Sequence, residues 1–349
     1  MGLLKYDDIW LVPRVVSTLE HRSEADTSIE CFGIKLAVPV MTSPMPDVCN
    51  GEMAYTLAKY GALGIIHRFQ SISDQLKQFS WNMDFINQED AAEYQNISKA
   101  QIACAIGVTG DYQKRFQDLF DAGCRIFCLD TANGANKQVS SVLRWVRTTL
   151  LSNKKSDKVY IIAGNVATRE GFRYLADLEV DAVRVGIAGG SVCETKTETA
   201  IHYPMVSSLQ ECVMEKDQLF SDRRKNLPLI IADGGIRTPA DMCKALALGA
   251  DIVMCGGIFA GTAESPGKVI KHDGKLVKLY RGAASFSVQQ DFNGEEHPEY
   301  NEGMETVVDY KGHVNKIIHR FFSGLRSSMS YMNARTLSEY KQNATVVYP

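Results

Sequence analysis

Short β-rich apolar runs recur along the chain, each followed by a stretch of helical periodicity, and this alternation constrains the fold more than any other feature. The runs are Val38–Thr42, Ala62–His67, Ile102–Gly107, Arg125–Asp130, Val159–Gly164, Ala182–Ile187, Pro228–Ala232 and Asp251–Gly256, eight in all. They are continuously hydrophobic, as parallel strands buried on both faces are. Amphipathic stretches such as Gly51–Lys59, Asp111–Asp121, Arg169–Leu178 and Pro239–Leu248 lie between them, and Gly61, Gly123 and Gly249 stand where helices close. Eight strand–helix units with short connections predict an α/β fold, a (β/α)8 TIM barrel; a doubly wound open sheet is the alternative. The 349 residues suit one such barrel domain spanning residues 1–349.

Two regions depart from the alternation. Residues 1–30 precede the first strand and predict an arm or a cover over the barrel's bottom. Residues 258–311 follow the eighth strand as an insertion, before the final helices and tail of residues 312–349, where Val314–Met332 is helical in pattern. Inside the insertion, Lys268–Tyr280 predicts a β-hairpin turning at Asp273-Gly274. Gly282–Asp309 then carries seven acids (Asp291, Glu295, Glu296, Glu299, Glu302, Glu305, Asp309) and no Lys or Arg. Directly after a barrel's last strand, such a segment predicts a lid over the active face, with a plain linker as the bland reading.

Charge and composition exclude several classes. A net charge of −3 lacks the basic excess of a nucleic-acid or membrane-surface protein, and no apolar run approaches the roughly 18 residues of a membrane span. Asp7 and Asp8 follow the first six residues, which is no secretory signal, and a cytoplasmic location is expected. The nine cysteines contain no Cys-x-x-Cys; Cys124 and Cys128, the closest pair, have neither metal nor redox spacing, so free thiols are expected. Trp10, Trp81 and Trp145 read as packing residues.

Barrel chemistry sits on the loops after the C-terminal ends of strands. Those loops supply Ser43-Pro44-Met45, His67-Arg68, Asp130-Thr131-Ala132, Asn165, Ile187–Thr195, Asp233-Gly234-Gly235 and Gly256-Gly257. Glycine clusters after strands six, seven and eight let a phosphate approach backbone N–H groups, although any one pair could be a cap. Cys193 stands apart from the other thiols: it follows a glycine-rich loop, with hydroxyls at Ser191 and Thr195, and reads as a nucleophile against the alternative of a packed cysteine. His67 is ambiguous between ligand contact and a satisfied, half-buried histidine. No His/Asp/Glu cluster has metal-ligand spacing.

These residues together carry a resemblance. Tyr6-Asp7-Asp8-Ile9 through Pro13, Ser43-Pro44-Met45, Leu129-Asp130 with Ala132-Asn133-Gly134, Ala163-Gly164-Asn165-Val166, Gly190-Ser191-Val192-Cys193, Ala232–Ile236, Tyr280-Arg281-Gly282 and Gly324-Leu325-Arg326-Ser327 span the chain. By these motifs the sequence resembles the IMP dehydrogenase/GMP reductase family.

The resemblance implies a barrel, usually a homotetramer, that binds a purine nucleoside 5′-monophosphate and a nicotinamide dinucleotide, NADPH or NAD. It assigns Ser43, Met45, Ser191, Asp233, Gly234, Gly235, Gly256, Gly257, Tyr280, Gly282, Ala283 and Ala284 to the monophosphate. Asp130, Thr131, Ala132, Asn165, Ile187 and Ala188 fall to the dinucleotide. Cys193 matches the thiolate that adds to purine C2, and Thr195 its partner hydroxyl. Ala188, Gly190 and Cys193 match a main-chain site for a monovalent cation, potassium, with Ala188 in place of the usual Gly.

Both family reactions share a covalent purine–cysteine intermediate. The dehydrogenase, oxidising IMP to XMP with NAD, uses a flap arginine that Gly282–Asp309 lacks, and its regulatory insert would have to fit in the thirty or so residues from Phe69 to Lys99. Against the reductase, its catalytic Glu aligns with Phe286; Glu302 is a candidate replacement that sequence alone does not place. The shorter lid favours NADPH-dependent reductive deamination of GMP to IMP. The alternatives are IMP dehydrogenase, or a diverged purine-nucleotide barrel with other or little activity.

Overall fold

The computed structural model describes residues 2–88, 101–152, 158–293 and 302–348. Eight parallel strands carry it: β1 (Val40–Thr42), β2 (Gly64–Ile66), β3 (Ile102–Ile106), β4 (Ile126–Asp130), β5 (Tyr160–Val166), β6 (Ala182–Val185), β7 (Leu229–Asp233) and β8 (Ile252–Cys255). Hydrogen bonds run in order from β2 round to β8 and on to β1. Between β1 and β2 the sheet closes by one bridge, Met41 with Leu63, and by Thr42, whose hydroxyl accepts the Ile65 N–H at 2.9 Å. The expected (β/α)8 barrel is therefore borne out. Each of the eight runs coincides with one strand, β5 and β7 running on past the end of theirs to Val166 and Asp233. Helices such as Gly51–Lys59, Arg169–Asp177 and Pro239–Ala247 pack outside, started by Asn50, Thr168 and Thr238, whose side chains accept N–H groups of the first turn.

The barrel interior is filled, not hollow. Met41, Ile65, Ala103, Ile126, Cys128, Ile162, Ile231 and Met254 form one apolar cluster with Cys31, Phe32, Ile34 and Leu36. Those last four belong to a small hairpin, Ile29–Cys31 with Ile34–Leu36, that plugs the bottom; Phe32 meets the Tyr160 ring edge-on. The sequence expectation of a bottom cover in residues 1–30 needs correcting here. The hairpin, mostly beyond residue 30, closes the bottom, while Tyr6 lies at the opposite end, its ring against Gly235. Its apolar ring is what that loop needs for packing: Tyr6 is 2% exposed. Farther along the arm, Trp10 is exposed, with the Lys244 ammonium 4.1 Å from its ring, and Trp10–Val12 pairs with Thr345–Val347. Trp145 packs edge-on against Tyr112 and Phe116. The Trp81 side chain lies outside the described residues.

The insertion after β8 forms a three-stranded antiparallel sheet, Ile270–His272, Lys275–Arg281 and Glu305–Asp309. Its hairpin turns at Asp273 and Gly274, φ 48° and 79°, as the dipeptide requires. Glu305 and Asp309, read as lid acids, are strand residues here, and a helix, Phe286–Asn293, precedes them. Glu295, Glu296 and Glu299 lie outside the described residues, as does residue 89 onward of the Phe69–Lys99 segment. Among the described residues no helix is long and apolar enough to cross a membrane.

Candidate active site

A cavity of about 1500 Å³ opens at the C-terminal ends of the strands. Every residue that the resemblance assigns to a ligand, to the cation or to chemistry lines it, from Ser43 and Met45 through Asp130, Asn165, Cys193 and Asp233 to Ala284. Arg68, offered by the loop after the second strand, and Arg237 also line it; sequence reasoning missed other wall residues: Lys5, Tyr6 and Asp7 of the arm, Phe69, the Gly107–Asp111 loop and Lys311.

Cys193 is half-buried, and its Sγ lies 3.3 Å from Thr195 Oγ1. The Thr195 hydroxyl donates at 2.7 Å to Glu302 Oε2. Backbone pairing holds this arrangement: Glu194 N–H donates to Glu302 O, Met304 N–H to Val192 O, and Glu302 N–H to Ala284 O. Gly303 bridges both Cys193 and Ser285, and a Cβ there would come within 2.5 Å of Ser285 N. Glu302 is thus fixed beside the thiol by main-chain register. Phe286 is 40% exposed at the start of its helix and does not line the cavity, so the expectation that it occupies the position of a catalytic Glu is corrected: Glu302 is the carboxylate at Thr195.

Buried charge organises the next layer. Arg184, 7% exposed, donates through Nε and Nη2 to Asp233 Oδ2 and through Nη1 to Asp130 Oδ1, at 2.9–3.0 Å. These carboxylates hold its guanidinium more firmly protonated than usual, against the cost of burial. Asn165 Nδ2 also donates to Asp233 Oδ2, at 2.7 Å, and Arg68 Nε to Asp130 Oδ2, at 3.2 Å. These contacts all fall on Oδ2; among the described residues no side-chain donor engages Asp233 Oδ1, which faces the cavity as an acceptor. Buried polar groups of this kind keep a single geometry because each has a partner.

The glycine loops come close enough to need glycine. Gly186 has φ 135°, and a Cβ there would lie 2.2 Å from Asp233 O. Gly234 has φ 120° and packs on Gly189. Ala188 adopts φ 57° itself, so the loop keeps a left-handed residue without glycine, a conformation that costs an L-residue roughly 1–2 kcal/mol. Lys311 Nζ, bonded to the carbonyls of Gly257, Ile258 and Ala260, clamps the turn that follows Gly256. Tyr280, 3% exposed, closes the floor, and burial pushes its phenol up to about 12.

His67 takes neither of its two expected roles fully. It is 7% exposed, outside the cavity wall, and stacks on Phe69. Burial, with the Arg115 charge nearby, drops its pKa to about 4, so it is neutral. Among the described residues no cluster of His, Cys, Asp and Glu is arranged to hold a metal ion.

Comparison with known proteins supplies the class. The family model described as "IMP dehydrogenase / GMP reductase domain" matches residues 3–348. The chain is 30% identical to an inosine-5′-monophosphate dehydrogenase of Borreliella burgdorferi, over 99% of this chain and 93% of that one. It is 32% identical to a GMP reductase of Chromobacterium violaceum, over 97% and 96%. With the inosine-5′-monophosphate dehydrogenase of Chlorobaculum tepidum, at 34% identity, the match spans 71% of this chain and half of the relative. A full-length match, with a strand-end cysteine over a glycine-lined cavity, leaves one conclusion: the chain is an oxidoreductase of the IMP dehydrogenase/GMP reductase family, whose members act on purine nucleotides.

Proposed function

We propose that the protein is a GMP reductase, converting GMP and NADPH to IMP, NADP and ammonia through a covalent bond between Cys193 and purine C2. The observation that carries this reading is the Glu302 carboxylate, 2.7 Å from the Thr195 hydroxyl that in turn lies 3.3 Å from the Cys193 sulfur. Reductive deamination has to protonate a departing amine, and a carboxyl–hydroxyl relay beside the nucleophile does that work. The dehydrogenase half-reaction instead has to activate water, and residues 282–309 contain no arginine or lysine to assist.

The glycine loops, with Ser191 and Tyr280, hold the monophosphate, Asp233 Oδ1 accepts the ribose hydroxyls, and Gly282–Ala284 meets the base. The Cys193 thiol adds to C2; its proton passes through Thr195 and Glu302 to the amino group, and the C2–N bond breaks to release ammonia. NADPH, when bound, supplies the hydride that reduces C2. The C2–S electron pair then returns to sulfur, which takes a proton from solvent, so one GMP, one NADPH and one proton give IMP, NADP and ammonia. A cavity of about 1500 Å³ exceeds the roughly 300–1,000 Å³ of a single-ligand pocket and has room for both molecules. Asp130, Thr131, Ala132, Asn165, Ile187 and Ala188 face the dinucleotide, and the carbonyls of Ala188, Gly190 and Cys193 take a potassium ion. The assembly is a homotetramer.

Purified protein assayed in parallel with GMP plus NADPH and with IMP plus NAD, following the reduced nicotinamide, tests the reading. NADPH consumption with GMP is expected, and Glu302→Gln lowers its kcat by about 10²–10⁴-fold. Turnover of IMP with NAD and none of GMP overturns the assignment.

A further inference from the structure

One side chain ties the insertion to the barrel and has no place in the mechanism above. Arg281 follows Tyr280 at the end of the central strand of the insertion sheet. Its N–H and Nε both donate to Asp47 Oδ2, and Nη2 donates to Asp47 Oδ1, all at 2.9 Å. Asp47 is 5% exposed and lies on the loop after β1, two residues beyond Met45. The remaining Nη1 turns outward, to Asp291 Oδ2 at 2.9 Å and Ser287 Oγ at 3.3 Å. Both acceptors sit on the helix Phe286–Asn293. The next residue, Phe292, packs its ring edge-on against Phe69, and both rings line the cavity.

The two arms of the guanidinium differ in kind. The Asp47 arm is a buried, forked pair, costly to break from one side because a desolvated charge would be left alone. The Asp291 arm is an exposed pair, its carboxylate side chain 69% exposed, worth little and screened by salt. We infer that Arg281 is a positioning residue that latches the helix Phe286–Asn293 over the cavity, with Asp47 as the fixed anchor and Asp291 as the releasable catch. The helix leads out of Ala283–Ser285, whose backbone also receives Glu302, so the catch sets how long the wall and the acid stay in place together. That last consequence rests on the reductase reading; the latch itself does not.

Amide hydrogen exchange of the full chain separates the two. Asp291→Asn is expected to speed exchange of the helix amides about two- to five-fold, leaving the barrel strands unchanged, as loss of an exposed pair implies. Raising salt from about 0.05 to 0.5 M is expected to speed the same amides in the wild type and hardly at all in the variant. Arg281→Lys keeps the charge but has no fork to span two carboxylates, and it should exchange like Asp291→Asn. In the GMP assay, Asp291→Asn is expected to lower kcat with little change in KM for GMP, because the phosphate loops are untouched. Unchanged helix exchange in Asp291→Asn, or equal salt sensitivity in variant and wild type, overturns the latch. Faster helix exchange in a protein that does not reduce GMP keeps the latch and discards only the reductase reading.

Discussion

The sulfur of Cys193 differs from the chain's eight other thiols in its surroundings. Those eight are all buried, and for most of them burial pushes the thiol up, to about 12 at Cys31, Cys49 and Cys128. Cys193 is half-buried and lines the cavity beside a hydroxyl, whereas Cys255, the other thiol in the wall, is buried. Cys193→Ala should therefore abolish turnover while a monophosphate still binds, since the phosphate loops lie elsewhere; calorimetry alongside the assay checks both, and more than a few per cent residual activity would exclude covalent catalysis. His67 gives a second prediction. Its pKa of about 4 in the folded chain lies below the ordinary 6.5, so the unfolded chain takes up the proton first as pH falls. Stability is full above about pH 6.5 and declines toward pH 4, by about 3 kcal/mol over the window. Thermal melts from pH 7.5 to 4.5 should show this loss, and His67→Asn should remove that part of it.

At the scale of elements, buried strands announce themselves because both faces of each are largely apolar, so each of the eight runs marks a strand. Thr42 is a buried polar residue inside the barrel wall. A hydroxyl there replaces a strand carbonyl at the β1–β2 seam, where only one bridge forms. Thr42→Val keeps the shape and leaves the Ile65 N–H without that acceptor, so a loss of about 1–3 kcal/mol in denaturant unfolding is expected. The insertion was less legible. Its Asp-Gly turn was readable because two successive positive φ angles demand such residues. Its third strand was hidden under Glu305 and Asp309, which are exposed and so carry no hydrophobic pattern. Glu302 was one acid among seven, and nothing in its neighbours distinguishes it until the chain pairs with the Cys193 loop.

For the whole molecule, the chain of charges from Arg68 through Asp130 and Arg184 to Asp233 runs along the wall of one cavity. A ligand that accepts from the glycine loops and donates to Asp233 adds contacts only in the folded state. GMP at about 100 times its Kd should therefore raise stability by about 2.7 kcal/mol, visible as a higher Tm, and guanosine at the same concentration should raise it less. Strand-end loops could be enumerated from sequence because a barrel sends all of them to one face. The arm could not be placed that way: nothing in residues 1–30 says which end of the barrel Tyr6 will reach, and that is decided by the space under Gly235.

The pairing of Gly303 with Cys193 and Ser285 carries one more consequence, for anyone who would redesign this enzyme. The acid's address is a position in a ladder of main-chain bonds, not a pocket moulded around a carboxylate. Swapping side chains along the ladder leaves the address intact, so Asp, Gln or His can be delivered to the same spot for comparison. Removing the single residue between Glu302 and Met304 does the opposite: with Met304 and the strand after it held in register, the side chain before the deletion turns to the other face, and the tool is carried away from the workpiece without any change in its chemistry.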